Sequence, residues 1–263
     1  FKAVAKVSKS LKEVLTTNVE PKLSQLIDLC NQLINEIRIN LKEIGKKDML
    51  LIMEDLDKIP LDRAKELFFN YSKQLSLLQI NCIFTYPIAL FHSPLSKTIG
   101  INFDTTYELP MIKVHPKDDH KKIDEDGVGI MKSIIAKRMN IDLFEEESIM
   151  MDAIKYSGGC IRDLFTLIKE SADNALEFER LKITKKDFQQ AYYKLKKEYD
   201  NTIADKSDEN GKVLTSVKDY FEALVNLVNS DTKKPENTDV VLDLRQNLTI
   251  LGYNGEGWCD VHP

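Results

Sequence analysis

Residues 49–58 read Met-Leu-Leu-Ile-Met-Glu-Asp-Leu-Asp-Lys, an apolar run that ends in carboxylates. A continuous apolar run of this length is typical of a strand buried on both faces. Glu54, Asp55 and Asp57 follow at its carboxyl end, where open α/β sheets bind their ligands. Buried carboxylates are costly unless a cation or hydrogen-bond donors compensate them, and a magnesium–nucleotide complex supplies both. The stretch therefore predicts a nucleotide site, with an ordinary core strand and acidic turn as the alternative.

The composition indicates a protein with hydrophobic cores in a reducing compartment. The chain has 263 residues, of which 43% are hydrophobic and 30% charged, enough for one large domain or two to three small ones. The net charge of −5 argues against nucleic-acid binding over the whole surface, though not against a local basic patch. The cysteines form no C-x-x-C pair, which predicts reduced thiols and a cytoplasmic location. No apolar run approaches the ~20 residues that span a bilayer, so we expect no membrane partner.

Strands separated by helices predict a parallel sheet in the first part of the chain. The expected strands are 49–54, 80–86 and 109–115. An amphipathic helix over 62–78 connects the first two, as parallel neighbours require. Residues 1–45 precede the sheet as two helices divided at Pro21, and Gly45 is expected to end the second.

Helices are predicted to dominate after the polar stretch at 117–129. Their expected ranges are 128–140, 145–157, 160–178 and 184–200. Thr184, with Asp187 three residues later, matches the start of a capping box. The composition of residues 201–211 indicates a second linker.

The last part of the chain has the elements of a winged-helix module. Two helices are expected at 213–229 and 238–247, and two strands at 248–253 and 258–262. Asn254-Gly255 lies between those strands, and Asn-Gly at such a place predicts a hairpin. Because the hairpin holds no lysine or arginine, it favours protein contact or simple packing over DNA contact.

Three segments resemble motifs of AAA+ and STAND-type P-loop ATPases. Residues 50–59 look like the Walker B strand, and strand 80–86 is similar to the sensor-1 strand of that family. Residues 156–164, Tyr-Ser-Gly-Gly-Cys-Ile-Arg-Asp-Leu, resemble the sensor-2 motif of the lid in origin-recognition and helicase-loader ATPases. The resemblance covers roughly residues 45–200.

The resemblance implies a role for four residues. Glu54 takes the position of a magnesium ligand, and Asp55 that of the carboxylate that polarises the attacking water, although the family's usual order is Asp then Glu. Thr85 would bond the water or the γ-phosphate, with a simple strand-end cap as the alternative. Arg162 would bind ATP from the lid, since guanidinium matches phosphate oxygens. The alternative for Arg162 is a surface salt bridge to Asp163 or Glu170.

Two expected features of such an ATPase are missing from the sequence. No G-x-x-x-x-G-K-[ST] loop occurs, and we expect it upstream of Phe1 in a longer chain. No arginine lies between Pro87 and His115, where a ring-forming ATPase supplies its arginine finger. ATP hydrolysis is thus expected of the full-length protein and not of these residues alone.

The predicted strands and helices indicate an α/β protein. The resemblance implies a partial parallel-sheet AAA+ core at 1–116 and a helical lid at 117–203, followed by the winged-helix-like module at 211–263. Its expected function is ATP-dependent conformational switching with Mg²⁺, possible self-assembly, and a DNA or protein partner at the winged-helix-like end. Two alternatives stay open. One is a DNA-binding initiator module, which the lysines and tyrosines over 182–199 could serve. The other is a degenerate ATPase that acts as a protein-interaction scaffold in bacterial defence or signalling.

Overall fold

The computed structural model describes residues 23–253 and 257–263, in two compact units. The N-terminal unit ends at Tyr107 and the C-terminal unit begins at Glu108. Both mix helices with small two-stranded sheets, and helices predominate. The domains 1–116, 117–203 and 211–263 stay predictions as functional divisions, while the contacts group residues 108–116 with those that follow.

No helix in the described ranges is both long enough and apolar enough to cross a membrane.

The N-terminal unit is a short parallel sheet with helices packed on it. Its elements are α1 (Leu23–Glu43), β1 (Leu50–Met53), a 3-10 turn (Leu56–Lys58), α2 (Leu61–Lys65), a π turn (Glu66–Asn70), α3 (Ser72–Leu75), β2 (Asn81–Phe84), α4 (Ile88–Phe91) and α5 (Ser96–Asn102). β1 and β2 pair in parallel from Leu50↔Asn81 to Met53↔Phe84, which confirms the predicted partial parallel sheet. Gly45 has φ +73°, and Lys46 N donates to Leu41 O just beyond α1, so Gly45 ends this helix as expected.

The apolar run predicts that both faces of β1 are buried, and this prediction is wrong. Leu50 and Ile52 on β1 are 53% and 52% exposed, and Ile83 on β2 is 50% exposed. The core of this unit, built on Ala64, Phe68, Leu90 and Ile99, includes Phe84 from the opposite face. The helices of the described N-terminal unit therefore bury one face of the sheet and leave the other open.

The predicted continuous helix over 62–78 is also wrong. It breaks into α2, the π turn and α3, because Tyr71 N donates to Glu66 O five residues back. The Ser72 hydroxyl donates to Phe69 O and accepts from the Asn102 amide at 2.7 Å. These bonds hold the chain out of helical geometry at Tyr71, while Phe68 is buried in the core.

Four helices form the first layer of the C-terminal unit. They are α6 (Glu125–Ala136), α7 (Glu147–Tyr156), α8 (Ile161–Glu177) and α9 (Lys185–Thr202), with a 3-10 turn at Ile141–Leu143. Met131, Ile149, Leu164 and Leu167 are fully buried between them. The Thr184–Asp187 capping box at the start of α9 is present as predicted.

A second core lies under the C-terminal hairpin. Its elements are α10 (Val217–Asn229), α11 (Asp239–Gln246), β5 (Ile250–Gly252) and β6 (Cys259–Val261). β5 and β6 are antiparallel, which confirms the predicted hairpin strands. The Asn254-Gly255 turn lies outside the described residues, as does the helix predicted before Pro21.

Two segments of the C-terminal unit differ from expectation. The predicted strand 109–115 forms a single bridge, Met111↔Tyr253, because Ile112 N donates instead to the turn residue Gly159. Pro110 has no N–H to donate, which further prevents a ladder. The expected linker 201–211 contains β3 (Lys206–Ser207), which pairs with β4 (Val213–Thr215). α10 accordingly begins only at Val217, where Ser216 caps it.

Candidate functional site

The ends of β1 and β2 bring Thr85 beside the acidic turn. Thr85 N donates to Met53 O at 3.1 Å, and Leu56 N donates to Thr85 Oγ1 at 3.1 Å. Asp55 occupies the left-handed region at φ 67°, which Asp tolerates better than most residues. This backbone reversal turns the chain from β1 into the 3-10 turn. The structure thus places the main chain of the acidic turn within hydrogen-bond distance of Thr85, as the strand order predicts.

Two carboxylates of this turn, Glu54 and Asp55, face solvent. Asp55 has a side chain that is 74% exposed, and Lys58 Nζ donates to its Oδ1 at 2.5 Å. Glu54 is also exposed. The predicted burial of these carboxylates is therefore wrong. Among the described residues, no three His, Cys, Asp or Glu side chains form a group that could hold a metal ion. A magnesium ion at Asp55 would have to replace Lys58 as its cationic partner.

Arg162 lies in the C-terminal unit, in the first turn of α8, and is exposed. Both carboxylates considered as its salt-bridge partners are bonded elsewhere. Asp163 accepts from Tyr199 and His262, and Glu170 accepts from Lys194 at 2.6 Å. The Arg162 guanidinium is thus presented to solvent, where it could meet an anion.

The two glycines before α8 have a packing role. Gly158 and Gly159 have φ +56° and +82°, and a Cβ on Gly159 would lie 1.8 Å from Ile112 O. A Cβ on Gly158 would lie 2.5 Å from Leu251 Cδ1. Close approach of two other segments therefore requires glycine here, independently of any nucleotide.

A buried polar cluster beside Arg162 was missed from the sequence. Asp163 is 4% exposed, and its Oδ2 accepts from Tyr199 Oη at 2.7 Å and from His262 Nε2 at 2.8 Å. The Tyr199 and His262 rings stack with centroids 4.4 Å apart. The three residues join α8, α9 and the chain after β6. An available signal was that Asp163 lies in the apolar stripe of α8, four residues before Leu167, where a charge needs a partner.

Burial and charge act together on the titration of this cluster. Burial opposes ionisation of Asp163, but the bonds from His262 and Tyr199 outweigh it and hold the pKa of Asp163 below its ordinary value. Burial, followed by the charge of Asp163, raises the pKa of Tyr199. The same two causes raise the pKa of the Cys160 thiol to about 11. Asp163 is therefore the ionised centre of the cluster at neutral pH, and Cys160 is an unreactive thiol.

A cavity of about 750 Å³ opens beside the cluster within the C-terminal unit. The loop after Val114, α7, the end of α10 and the residues around His262 line it. Five lysines and four aspartates contribute to the lining, and Lys233 lies 3.4 Å from Asp260. Because the two signs nearly balance, the cavity indicates no preference for an anion or a cation.

The aromatic side chains that could have contacted nucleic acid are mostly engaged in packing. Tyr192 packs on Tyr156 with centroids 4.6 Å apart, and Tyr199 bonds Asp163. Tyr193 is exposed. Trp258 on the hairpin is buried and stacks on Tyr253 at 4.4 Å. The basic residues around α9 thus lie on a solvated helix face with little aromatic surface for bases to stack on.

Comparison with protein-family models, with curated proteins and with solved structures finds no match.

Proposed function

We propose that this chain belongs to a nucleotide-dependent conformational switch of the AAA+/STAND type. Mg-ATP would bind at the carboxyl edge of β1 and β2, with Glu54 toward the metal and Asp55 and Thr85 toward the attacking water. The observation that carries the proposal is the hydrogen bond from Leu56 N to Thr85 Oγ1 across the ends of two parallel, in-register strands. It places a hydroxyl beside an acidic turn at the edge where open α/β sheets bind ligands.

The exposed side chains at the carboxyl edge of β1 and β2 suit a site that other groups complete. Glu54 and Asp55 are exposed, and Lys58 occupies the place of a cation beside Asp55. The 263 residues contain no phosphate-binding glycine-rich loop, so other groups would have to hold the phosphates. Metal and triphosphate would then displace Lys58 from Asp55. An exposed ion pair such as this one contributes little to stability.

Arg162 is the proposed reporter of bound nucleotide in the lid. It is exposed in the first turn of a seventeen-residue helix, and its two candidate carboxylate partners are bonded elsewhere. In this proposal α6–α9 are the lid, and α10, α11 and the β5–β6 hairpin are a winged-helix-like module. A guanidinium matches phosphate oxygens in charge and in geometry, so Arg162 is the residue of this helix that a phosphate group would engage.

Calorimetric titration with Mg-ATP and a turnover assay on the full-length protein test this proposal. We expect Arg162→Ala to weaken ATP binding about tenfold or more, as the loss of a charged hydrogen bond predicts. Asp55→Asn should bind ATP normally but hydrolyse it about 10²-fold more slowly. Asparagine also tolerates the left-handed conformation, so the turn should fold. Lys169→Ala on α8 and the exposed Asp104→Asn are the matched controls.

The proposal fails if the full-length protein does not bind Mg-ATP, or if Arg162→Ala binds it as tightly as Lys169→Ala does. Normal affinity with no turnover in the unmodified protein would instead support the second candidate, a degenerate ATPase used as an interaction scaffold. The observation that favours this candidate is the open apolar face formed by Leu50, Ile52 and Ile83.

A further inference from the structure

The turn before α8 contacts both the C-terminal hairpin and the segment at Ile112. Tyr253 Oη donates to Gly158 O at 2.7 Å, and Ile112 N donates to Gly159 O at 3.1 Å. A Cβ added to Gly158 would lie 2.5 Å from Leu251 Cδ1, so this side chain packs directly on the glycine. Tyr253 and Leu251 belong to the β5 side of the hairpin. The start of α8 is therefore built directly against this module.

Asp163 adds a polar connection from α8 to the other strand of the hairpin. Its Oδ2 accepts hydrogen bonds from His262, one residue beyond β6, and from Tyr199 on α9. The side chains of Asp163 and His262 are each only 6% exposed. A buried carboxylate that loses such partners pays its full desolvation cost, so the connection resists separation.

Arg162 and Asp163 are consecutive residues of one helix with opposite surroundings. Arg162 is exposed to solvent, whereas Asp163 is buried against α9 and the hairpin. A displacement of the helix start that moves one of them must move the other, because they share a peptide bond. We infer that Asp163 is the positioning residue that couples Arg162 to the β5–β6 hairpin. The inference rests on the proposed function only in naming nucleotide as what displaces Arg162.

Hydrogen–deuterium exchange on the full-length protein without nucleotide tests the coupling itself. Asp163→Ala should speed exchange of residues 257–263 and of the start of α8 together, by about tenfold, the factor expected for losing one or two buried hydrogen bonds. Tyr199→Phe is the milder variant, since it keeps the ring on His262 and removes one bond. The matched control is Asp187→Ala, which removes another buried aspartate of the same unit. Its effect should stay at the start of α9.

The second arm of the experiment adds Mg-ATP. In the unmodified protein, ATP should change exchange of residues 257–263, and Asp163→Ala should abolish this change while ATP still binds. The coupling is overturned if residues 257–263 of both Asp163→Ala and Tyr199→Phe exchange their amide hydrogens as slowly as those of the unmodified protein. The role in signal transfer is overturned if ATP binds without any change at 257–263. Absence of ATP binding overturns the proposed function instead, and the nucleotide-free arm still decides the coupling.

Discussion

Gly159 shows how a single residue allows the segment at Ile112 to approach the start of α8. Its φ of +82° lies in the left-handed region, and a Cβ there would meet Ile112 O at 1.8 Å. That carbonyl cannot withdraw freely, because Ile112 N donates to Gly159 O. The glycine is thus required by backbone conformation and by close approach together.

Gly159→Ala should therefore lower the free energy of unfolding of the C-terminal unit by about 2–4 kcal/mol, from strain and a backbone clash. Urea unfolding followed by the fluorescence of Trp258, the single tryptophan of the chain, measures this unit alone. Gly129→Ala is the matched control, because Gly129 lies in α6 with nothing within 4 Å of an added Cβ. It should raise stability by up to about 1 kcal/mol. Equal stability of the two variants would show that the approach to Ile112 is looser than described.

At the scale of one element, the start of α9 depends on an ionised carboxylate. Asp187 is fully buried, accepts from Thr184 N at 2.9 Å and from its hydroxyl at 2.7 Å, and pairs with Arg180. Burial opposes its ionisation, but these partners outweigh burial and lower the pKa of Asp187. A carboxyl with a lowered folded-state pKa stabilises the fold above its unfolded-state value, and this stability is lost as pH falls through the folded-state value.

Asp187→Asn should consequently make the C-terminal unit less stable at pH 7 and less sensitive to acid. Between about pH 5 and pH 2, the free energy of unfolding should fall more steeply for the unmodified protein than for the variant. Urea titrations at several pH values, again read from Trp258, give both slopes. The exposed Asp200→Asn serves as the control and should follow the unmodified protein. Parallel slopes for Asp187→Asn would contradict the assigned role.

At the scale of the whole molecule, the boundary between the two units contains an exposed peptide bond, the one that follows Tyr107. Tyr107 is 84% exposed at the end of the N-terminal unit, outside any helix or strand. Tyr193 and Phe221 are also exposed but lie within helices, which need local unfolding before a protease can cut. Tyr71 and Phe178 lie in turns beside helices and are less exposed than Tyr107, at 41% and 54%. Each unit also has its own hydrophobic core.

Brief chymotrypsin treatment should thus cut first after Tyr107 and release a fragment of residues 108–263. This fragment should keep the buried fluorescence of Trp258 and unfold cooperatively, because both of its cores lie within it. Mass spectrometry identifies the cut, and Tyr107→Ser should remove it without changing other early cuts. A first cut inside α6–α9, or a fragment with exposed Trp258, would show that the second unit is not independently stable.

Expectations from the sequence succeeded where neighbouring residues decide the outcome. Thr184 and Asp187 identified the start of α9, Gly45 ended α1, and the apolar runs at 49–54 and 80–86 became paired strands. The sequence pattern also predicted that Thr85 lies near the acidic turn, because the carboxyl ends of neighbouring parallel strands lie at the same edge of a sheet. It misjudged the exposure of Glu54 and Asp55, because an apolar run does not reveal whether a second layer covers it.

The amino-acid sequence by itself determined the helices that begin at a cap and the apolar runs that became β1 and β2, because capping, periodicity and backbone preference act over a few residues. Only the tertiary structure decided which charges are buried and what they bond. Asp163 and His262 are 99 residues apart, so no local pattern links them. They meet because packing of α8, α9 and the hairpin brings the two side chains within hydrogen-bond distance of each other.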